Sequence, residues 1–522
     1  MTVKYLKFSQ IYYRFYYVLR NKIFHKSYDY YNKELNIVEV KVDFINFSCN
    51  NNQYVNTNKF HFLNISHSFN DNIDWNFSDY GKLWSYNLNY FDFLNQFNLS
   101  KAKGLELIYD FVESDEKVKV GKEPYPISLR NINWIKFLSR NKVKNDKINQ
   151  ILFNHYLILL DNLEYHLLGN HLLENGFSLL FGAYFFKEKK FYKKARKIII
   201  KELNEQILRD GAHFELSPMY HQIILLRLLE CVSLLNSNKW KNDTLFLEFL
   251  KEKASNMLSY LKTITYDNGV IPMVNDSAYG IAPSSKELFE YADSLKLEYD
   301  SIILSESGYR KFKNEFYELF IDIGEIGPKY QAGHAHADML NFELHCKSRP
   351  FIVDTGTSTY EKNELRQKER GTGSHNTVII NSVNQSQVWG GFRVASRAKI
   401  VKSKTQRYKV IASHDGYKKI AGQHYREFQS EEKRIIVKDL ISQEKNKTKN
   451  IANFHFYSDI KINFINENKV EFNNGVKMLF ESSSKLQIIK NKYQLAAGFN
   501  KTIEAERLSV RFSNNLTTHI EL

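Results

Sequence analysis

The period of the hydrophobic pattern changes once along this chain, near residue 305, and that change limits the fold more than any other feature. Before it, apolar residues recur at helical spacing in Ile151–Leu168, Phe177–Phe186, Tyr192–Leu208, Met219–Leu235 and Leu245–Leu261, the pattern of amphipathic helices. After it the period falls to two, in short runs at Phe316–Ile323, Asn341–Cys346, Thr377–Ile380, Lys409–Ser413, Arg434–Val437, Ile460–Phe464 and Val470–Phe472. Turn residues such as Asn473-Asn474-Gly475 and Asp415-Gly416 lie between these runs, as in an antiparallel sandwich. A run of helices followed by a run of strands predicts two domains rather than an alternating α/β fold. The 522 residues divide into an unassigned segment at 1–75, a helical domain at 76–305 and an antiparallel β domain at 306–522.

The formal net charge is +15, which favours a polyanionic partner. The charge is spread along the chain without a recognition motif, so nucleic acid is not the expected partner. An acidic glycan or an anionic surface remains. Cys49, Cys231 and Cys346 are scattered and form no CxxC pair, which argues against a disulfide framework and a thiolate zinc site. The start, Met1 to Phe24, is basic and aromatic, and Lys4, Lys7, Arg14 and Arg20 interrupt its apolar residues. It has no continuous apolar core of a signal peptide, so a cytoplasmic location is expected. It reads as a docked helix, with peripheral membrane contact as the alternative. No stretch reads as a transmembrane span. The oligomeric state is left open.

Two groups of residues carry chemistry. In the β half, Gly333-His334-Ala335-His336-Ala337-Asp338 would, as a strand, place His334, His336 and Asp338 on one face. Val353-Asp354-Thr355-Gly356 ends an apolar run in a carboxylate, and Gly373-Ser374-His375-Asn376-Thr377 brings a histidine to the entry of another strand. His336, Asp354 and His375 together make a His2Asp set suited to a divalent metal, zinc above all. The alternative is that Asp354 caps a turn and His375 is hydrogen-bonded internally. In the helical half, Ser217-Pro218 is an N-cap followed by an N1 proline, which puts Tyr220 and His221 in the first turn of a helix. Upstream, Asn170-His171-Leu172-Leu173-Glu174-Asn175 sets polar groups into an apolar helix pair.

These segments, in this order, resemble the heparinase II/III-like polysaccharide lyases. Leu83–Phe91 and Ser128–Trp134 are also similar to segments of that family, and the resemblance runs over roughly residues 80 to 440. It implies an incomplete α/α toroid followed by an antiparallel β-sandwich, with the site in the cleft between them. It implies β-elimination on a uronate-containing acidic polysaccharide. Asn175 would neutralise the uronate carboxylate. Tyr220 or His334 would take the C5 proton, and Tyr220 would protonate the leaving oxygen. His221 would orient substrate or tyrosine. Arg130, Asn133 and Trp134 would line sugar subsites, with His171 as a further candidate there. The metal at His336, Asp354 and His375 would be mainly structural. The unexported character suggests a bacterial capsule or exopolysaccharide role. A glycan hydrolase, using either that metal or paired carboxylates drawn from Glu174, Glu215 and Asp276, is the rival enzyme. A non-catalytic polysaccharide-binding protein is the third reading.

Overall fold

A computed structural model describes residues 2–23, 42–45, 53–56, 58–442 and 448–522. Cys49 lies outside them. The helices of the N-terminal and helical parts are α1 (Phe8–Ile23), α2 (Lys82–Tyr90), α3 (Lys101–Ser114), α4 (Pro124–Arg140), α5 (Asp146–Asp161), α6 (Gly169–Phe186), α7 (Lys189–Gln206), α8 (Pro218–Ser237), α9 (Thr244–Ile264) and α10 (Ser285–Ser294), and a short helix, Glu364–Glu369, lies in the β half. From α2 onward they pack pairwise into an incomplete toroid. The pattern read as one helix over Ile151–Leu168 divides here. α5 ends at Asp161, and a loop leads through two consecutive left-handed residues, Leu168 and Gly169, into α6.

Among the described residues the β half holds three larger antiparallel sheets and a two-stranded one, Val388–Trp389 with Arg393–Val394. The largest runs Ile400–Gln406, Lys409–His414, His424–Ser430, Arg434–Ile441, Asn515–Glu521, Lys477–Glu481, Lys469–Phe472, Ile462–Ile465. A second has the order Gln487–Gly498, Lys501–Phe512, Asn450–His455, Val378–Ile380. The third is a meander over Tyr309–Lys313, Tyr317–Asp322, Phe342–Cys346 and Arg349–Ile352. Alternate residues such as Val410, Phe428, Ile435 and Val437 point into the shared core, which is why the period-two pattern was readable.

The two halves are packed together. The helical core extends through Tyr309, Phe320, Tyr330 and Phe499 of the β half. At the N-terminus, Tyr54–Asn56, Lys59–Phe62 and Ile65–Ser68 form a small sheet that joins this core through Phe60 and Phe62. Helix α1 docks through Gln10, Tyr17 and Arg20, which bond to Leu167, Leu163 and Asp161 carbonyls. Its apolar side faces outward. By length and composition α8 passes as a membrane span, against the sequence expectation, but it is mostly buried within the helical domain.

Candidate active site

A cleft of about 1340 Å³ lies between the toroid and the β half, bordered also by the N-terminal sheet at His61 to Asn64. Two helix starts face it. Ser217 accepts a hydrogen bond from the Tyr220 N–H at 3.2 Å and Pro218 opens α8, as the sequence predicts. The first turn of α6 presents Asn170 and His171 to the same space. Helix N-termini carry partial positive charge, so both favour a carboxylate in the cleft.

Tyr220 and His334 meet there. Their ring centroids are 3.9 Å apart, and the Tyr220 hydroxyl is 3.3 Å from that of Tyr360. Burial raises the Tyr220 phenol above its ordinary range, so it stands protonated. His334 Nδ1–H donates to Asp276 Oδ2 at 2.9 Å. The carboxylate can only accept, which leaves Nε2 as the nitrogen on the cleft side, 3.9 Å from Glu215 Oε2.

Asp276 is the hub behind this pair. His336 Nε2–H donates to its Oδ1 at 2.9 Å, and Arg366 grips both oxygens at 2.5 and 2.7 Å. Although burial opposes charge, the Arg366 guanidinium and the two imidazoles hold the carboxyl well below its usual range. Asp276 is therefore a fixed anion that selects the His334 tautomer, as a carboxylate behind a catalytic histidine does. Its neighbour Asn275, in left-handed backbone, donates to the Leu216 carbonyl at 3.0 Å and accepts from the His336 N–H at 3.0 Å. That amide ties the start of α8 to the histidine loop, so Tyr220 and His334 are positioned by one side chain.

Several sequence expectations are corrected. Residues 333–338 form a loop, not a strand; His334 and His336 converge because both reach Asp276. Arg130, Asn133 and Trp134 do not line the cleft. Arg130 is buried in the toroid and donates to the Gly121 and Asn89 carbonyls, Asn133 donates to the Tyr90 carbonyl and Asp92, and Trp134 packs in the core. Asn175 is also buried behind the cleft wall, where it accepts from the Glu164 N–H and donates to Glu164 Oε2 and Ser128 Oγ. Of the two amides in this segment it is Asn170 that borders the cleft, and it donates to Glu215 Oε2 at 3.0 Å. His221 points away from the cleft, donating to the Met257 carbonyl and accepting from the His213 N–H. Burial lowers its pKa to about 3, so it is a neutral brace. His171 is where it was expected, on the cleft wall, donating to Glu164 Oε1 at 2.9 Å. Burial works against its charged form, but the Glu164 carboxylate outweighs this and raises its pKa.

His336, Asp354 and His375 are gathered in one buried cluster. The two rings are 5.3 Å apart, and His375 Nδ1–H donates to Asp354 Oδ2 at 2.8 Å. Asp354 also accepts from Asn341 and from the Gly356 N–H. Among the described residues, no three His, Cys, Asp or Glu side chains form a ready metal cage. Yet His336 Nδ1 is buried without a hydrogen-bond partner, and a nitrogen–carboxylate donor set suits zinc. Nothing in the sequence pointed to Arg366 or Tyr360. Asp276 and Glu215 were visible there only as isolated carboxylates.

The heparinase II/III N-terminus family model matches residues 127–296, and the heparinase II/III-like C-terminal model matches residues 298–521. The chain belongs to the heparinase II/III-like family. Family membership thus covers both the toroid and the β half. A heparin-sulfate lyase of Bacteroides stercoris is 25% identical over 248 residues, 42% of this chain and 36% of that protein. One of Pedobacter heparinus is 25% identical over 243 residues, 41% of this chain and 36% of that protein. The match therefore spans little more than a third of either relative. A crystal structure of heparinase III superposes with a TM-score of 0.68 at 16% identity, over 87% of this chain and 80% of the other. A chondroitinase AC lyase follows at 0.52 and 10% identity, over 84% and 75%. At such identities the likeness carries the architecture of toroid and β-sandwich.

Proposed function

We propose that this chain is a polysaccharide lyase that cleaves a uronate-containing glycan by β-elimination. The observation that carries the reading is the Tyr220–His334 pair in the cleft, with His334 Nδ1 anchored on the ionised Asp276. A uronate held across the starts of α6 and α8 would have its carboxylate beside the Asn170 amide, which disperses the charge that grows as C5 loses its proton. The C5–H bond breaks and the proton passes to His334 Nε2 or Tyr220, according to the face that bears it. The electron pair becomes the C4–C5 double bond, the C4–O bond breaks, and the Tyr220 hydroxyl protonates the departing oxygen. Neutral imidazole and protonated phenol are the forms needed when His334 takes the C5 proton; for Tyr220 to take it, the phenol must first give up its own.

A divalent ion would be held by His336, Asp354 and His375. Its contribution would be structural, fixing the loop that carries His334. The hydrolytic rival has less support, because Glu174 and Asp276 do not line the cleft and Asp276 is fully engaged by Arg366 and the two histidines. The test is ultraviolet absorbance of the 4,5-unsaturated product when the protein meets a panel of uronate polymers. New reducing ends without that absorbance would establish hydrolysis instead.

A further inference from the structure

We infer that the cleft selects a sparsely charged, unsulfated uronate polymer; the inference rests on the lyase reading and specifies its substrate. The chain's net charge of +15 is not concentrated where the glycan would lie. Among the described residues, the fixed cations bordering the cleft are Lys82, Lys136, Arg227 and Lys362, against the carboxylates of Asp92, Glu123, Glu164, Glu215 and Glu361. Three of the four cations are already paired. Lys82 lies 2.8 Å from Glu123, Lys136 pairs with Glu230, and Arg227 lies 2.7 Å from Glu230. Arg227 also sits 3.6 Å from Glu174 and 3.9 Å from Asp92. Lys362 is the one for which no carboxylate partner is found among the described residues.

Sulfate recognition needs unpaired Arg or Lys donors aimed at the anion. A polymer with several sulfates per disaccharide would instead bring its charge against protein carboxylates whose cations are occupied, and the repulsion is strong in a confined cleft. One uronate carboxylate at a time is a smaller demand, met by Asn170 and the two helix starts. The wall also carries the rings of Tyr86, Tyr90, Tyr125 and Tyr279, set among aliphatic residues such as Leu83, Leu129 and Ile223, as surfaces for sugar faces.

The experiment uses one unsulfated glucuronate–N-acetylhexosamine polymer and the same polymer after chemical sulfation, with kcat/KM read from product absorbance. The unsulfated form is expected to be cleaved at least tenfold better. Glu361→Lys, a change at the exposed rim, is expected to narrow that ratio several-fold by adding a free cation. Equal or better cleavage of the sulfated form would overturn the selectivity while leaving the lyase reading intact. Absence of unsaturated product from either polymer, and from the wider uronate panel, would fail the lyase reading itself.

A separate observation carries a second proposal. Helix α1 is inverted: Gln10 is 0% exposed, whereas Phe8 is 80%, Phe15 67% and Leu19 55% exposed. At helical spacing Phe8, Tyr12, Phe15, Leu19 and Ile23 share one outward face. Beside it lies α7, joined through the Lys7–Glu205 ion pair and through Lys194 over Tyr165, which stacks on Tyr13. α7 exposes Lys189, Lys190, Lys193, Lys197 and Lys201. An apolar helix face flanked by lysines matches the interface of an anionic bilayer, apolar side inward and cations at the headgroups. The geometry points to peripheral attachment through α1. Co-sedimentation with phosphatidylcholine vesicles containing phosphatidylglycerol is expected, and is expected to be lost with Phe15→Glu/Leu19→Glu or without the anionic lipid. Absence of binding by the parent protein, or a dimer in solution that the same substitutions dissociate, would overturn it.

Discussion

The Tyr220 and His334 ring centroids lie 3.9 Å apart, the planes tilted by 33°, although one ring belongs to a helix start of the toroid and the other to a loop of the β half. Their meeting depends on Asn275 and Asp276, which bridge those two elements. The pair therefore meets only when the two domains are docked, and the first expectations concern that support.

Asp276→Asn is expected to damage activity and stability together. The amide cannot balance Arg366, which would be left as a buried charge without its partner, at a cost of roughly 3–5 kcal/mol. His334 would also lose the acceptor that fixes its tautomer, and kcat is expected to fall by about 10² or more. Thermal unfolding and product absorbance measured on one preparation check both. A variant with full kcat would show that Asp276 does not orient the histidine.

Asn170→Ala and Asn175→Ala separate the two amides of one segment. Asn170 borders the cleft, so its loss is expected to lower kcat by about 10²-fold, the scale of one oxyanion donor, with little change in melting temperature. Asn175 braces Glu164 and Ser128 from behind, so its loss is expected to cost about 1–3 kcal/mol of stability through groups left unsatisfied. Reversal of these two effects would restore Asn175 to the substrate carboxylate.

The helical half was largely legible in its sequence, and so was the start of α8, because apolar period and capping chemistry are local signals. Which amide borders the cleft was not. Residues 170 and 175 are five apart, so on a helix they point in different directions, and nothing in the pattern says which direction is the cleft. The resemblance put Arg130 at a sugar subsite, yet it is buried in the toroid, where it donates to the Gly121 and Asn89 carbonyls. Asp276 and Arg366 form their ion pair across the chain, and pairing of that kind leaves no periodic trace. The His334–His336 spacing was read correctly as a convergence but through the wrong geometry, alternation in a strand rather than a shared carboxylate in a loop.

Stability is expected to fall as pH rises toward neutrality, in part through Glu174. Burial raises its pKa from 4.5 to about 7. A carboxyl whose folded pKa is raised stabilises the folded state below its unfolded pKa, and that contribution is lost as pH rises through the folded pKa. The window is therefore from about 4.5 to about 7. Glu343, raised by burial to about 7 as well, acts over the same range. Glu174→Gln is expected to flatten the slope of unfolding free energy against pH across this window; an unchanged slope would contradict the assignment.

Metal content tests the His336, Asp354 and His375 cluster. Protein purified without chelator is expected to carry close to one equivalent of a divalent ion, and its removal is expected to lower the melting temperature, since a ligand bound only by the folded state stabilises it. His375→Ala is expected to abolish both the ion and the shift. A protein with no bound ion and no response to chelator would leave the cluster as the hydrogen-bonded pair of His375 and Asp354.

The most direct measurement is the absorbance of a 4,5-unsaturated uronate released from polymer by the parent protein, Tyr220→Phe and His334→Ala. Accumulation with the parent is expected, with losses of about 10²–10⁴-fold in the variants while both stay folded, because in the proposed mechanism both groups act in proton transfer. Full activity in either folded variant, or cleavage that yields hydrated rather than unsaturated ends, would contradict elimination by the Tyr220–His334 pair.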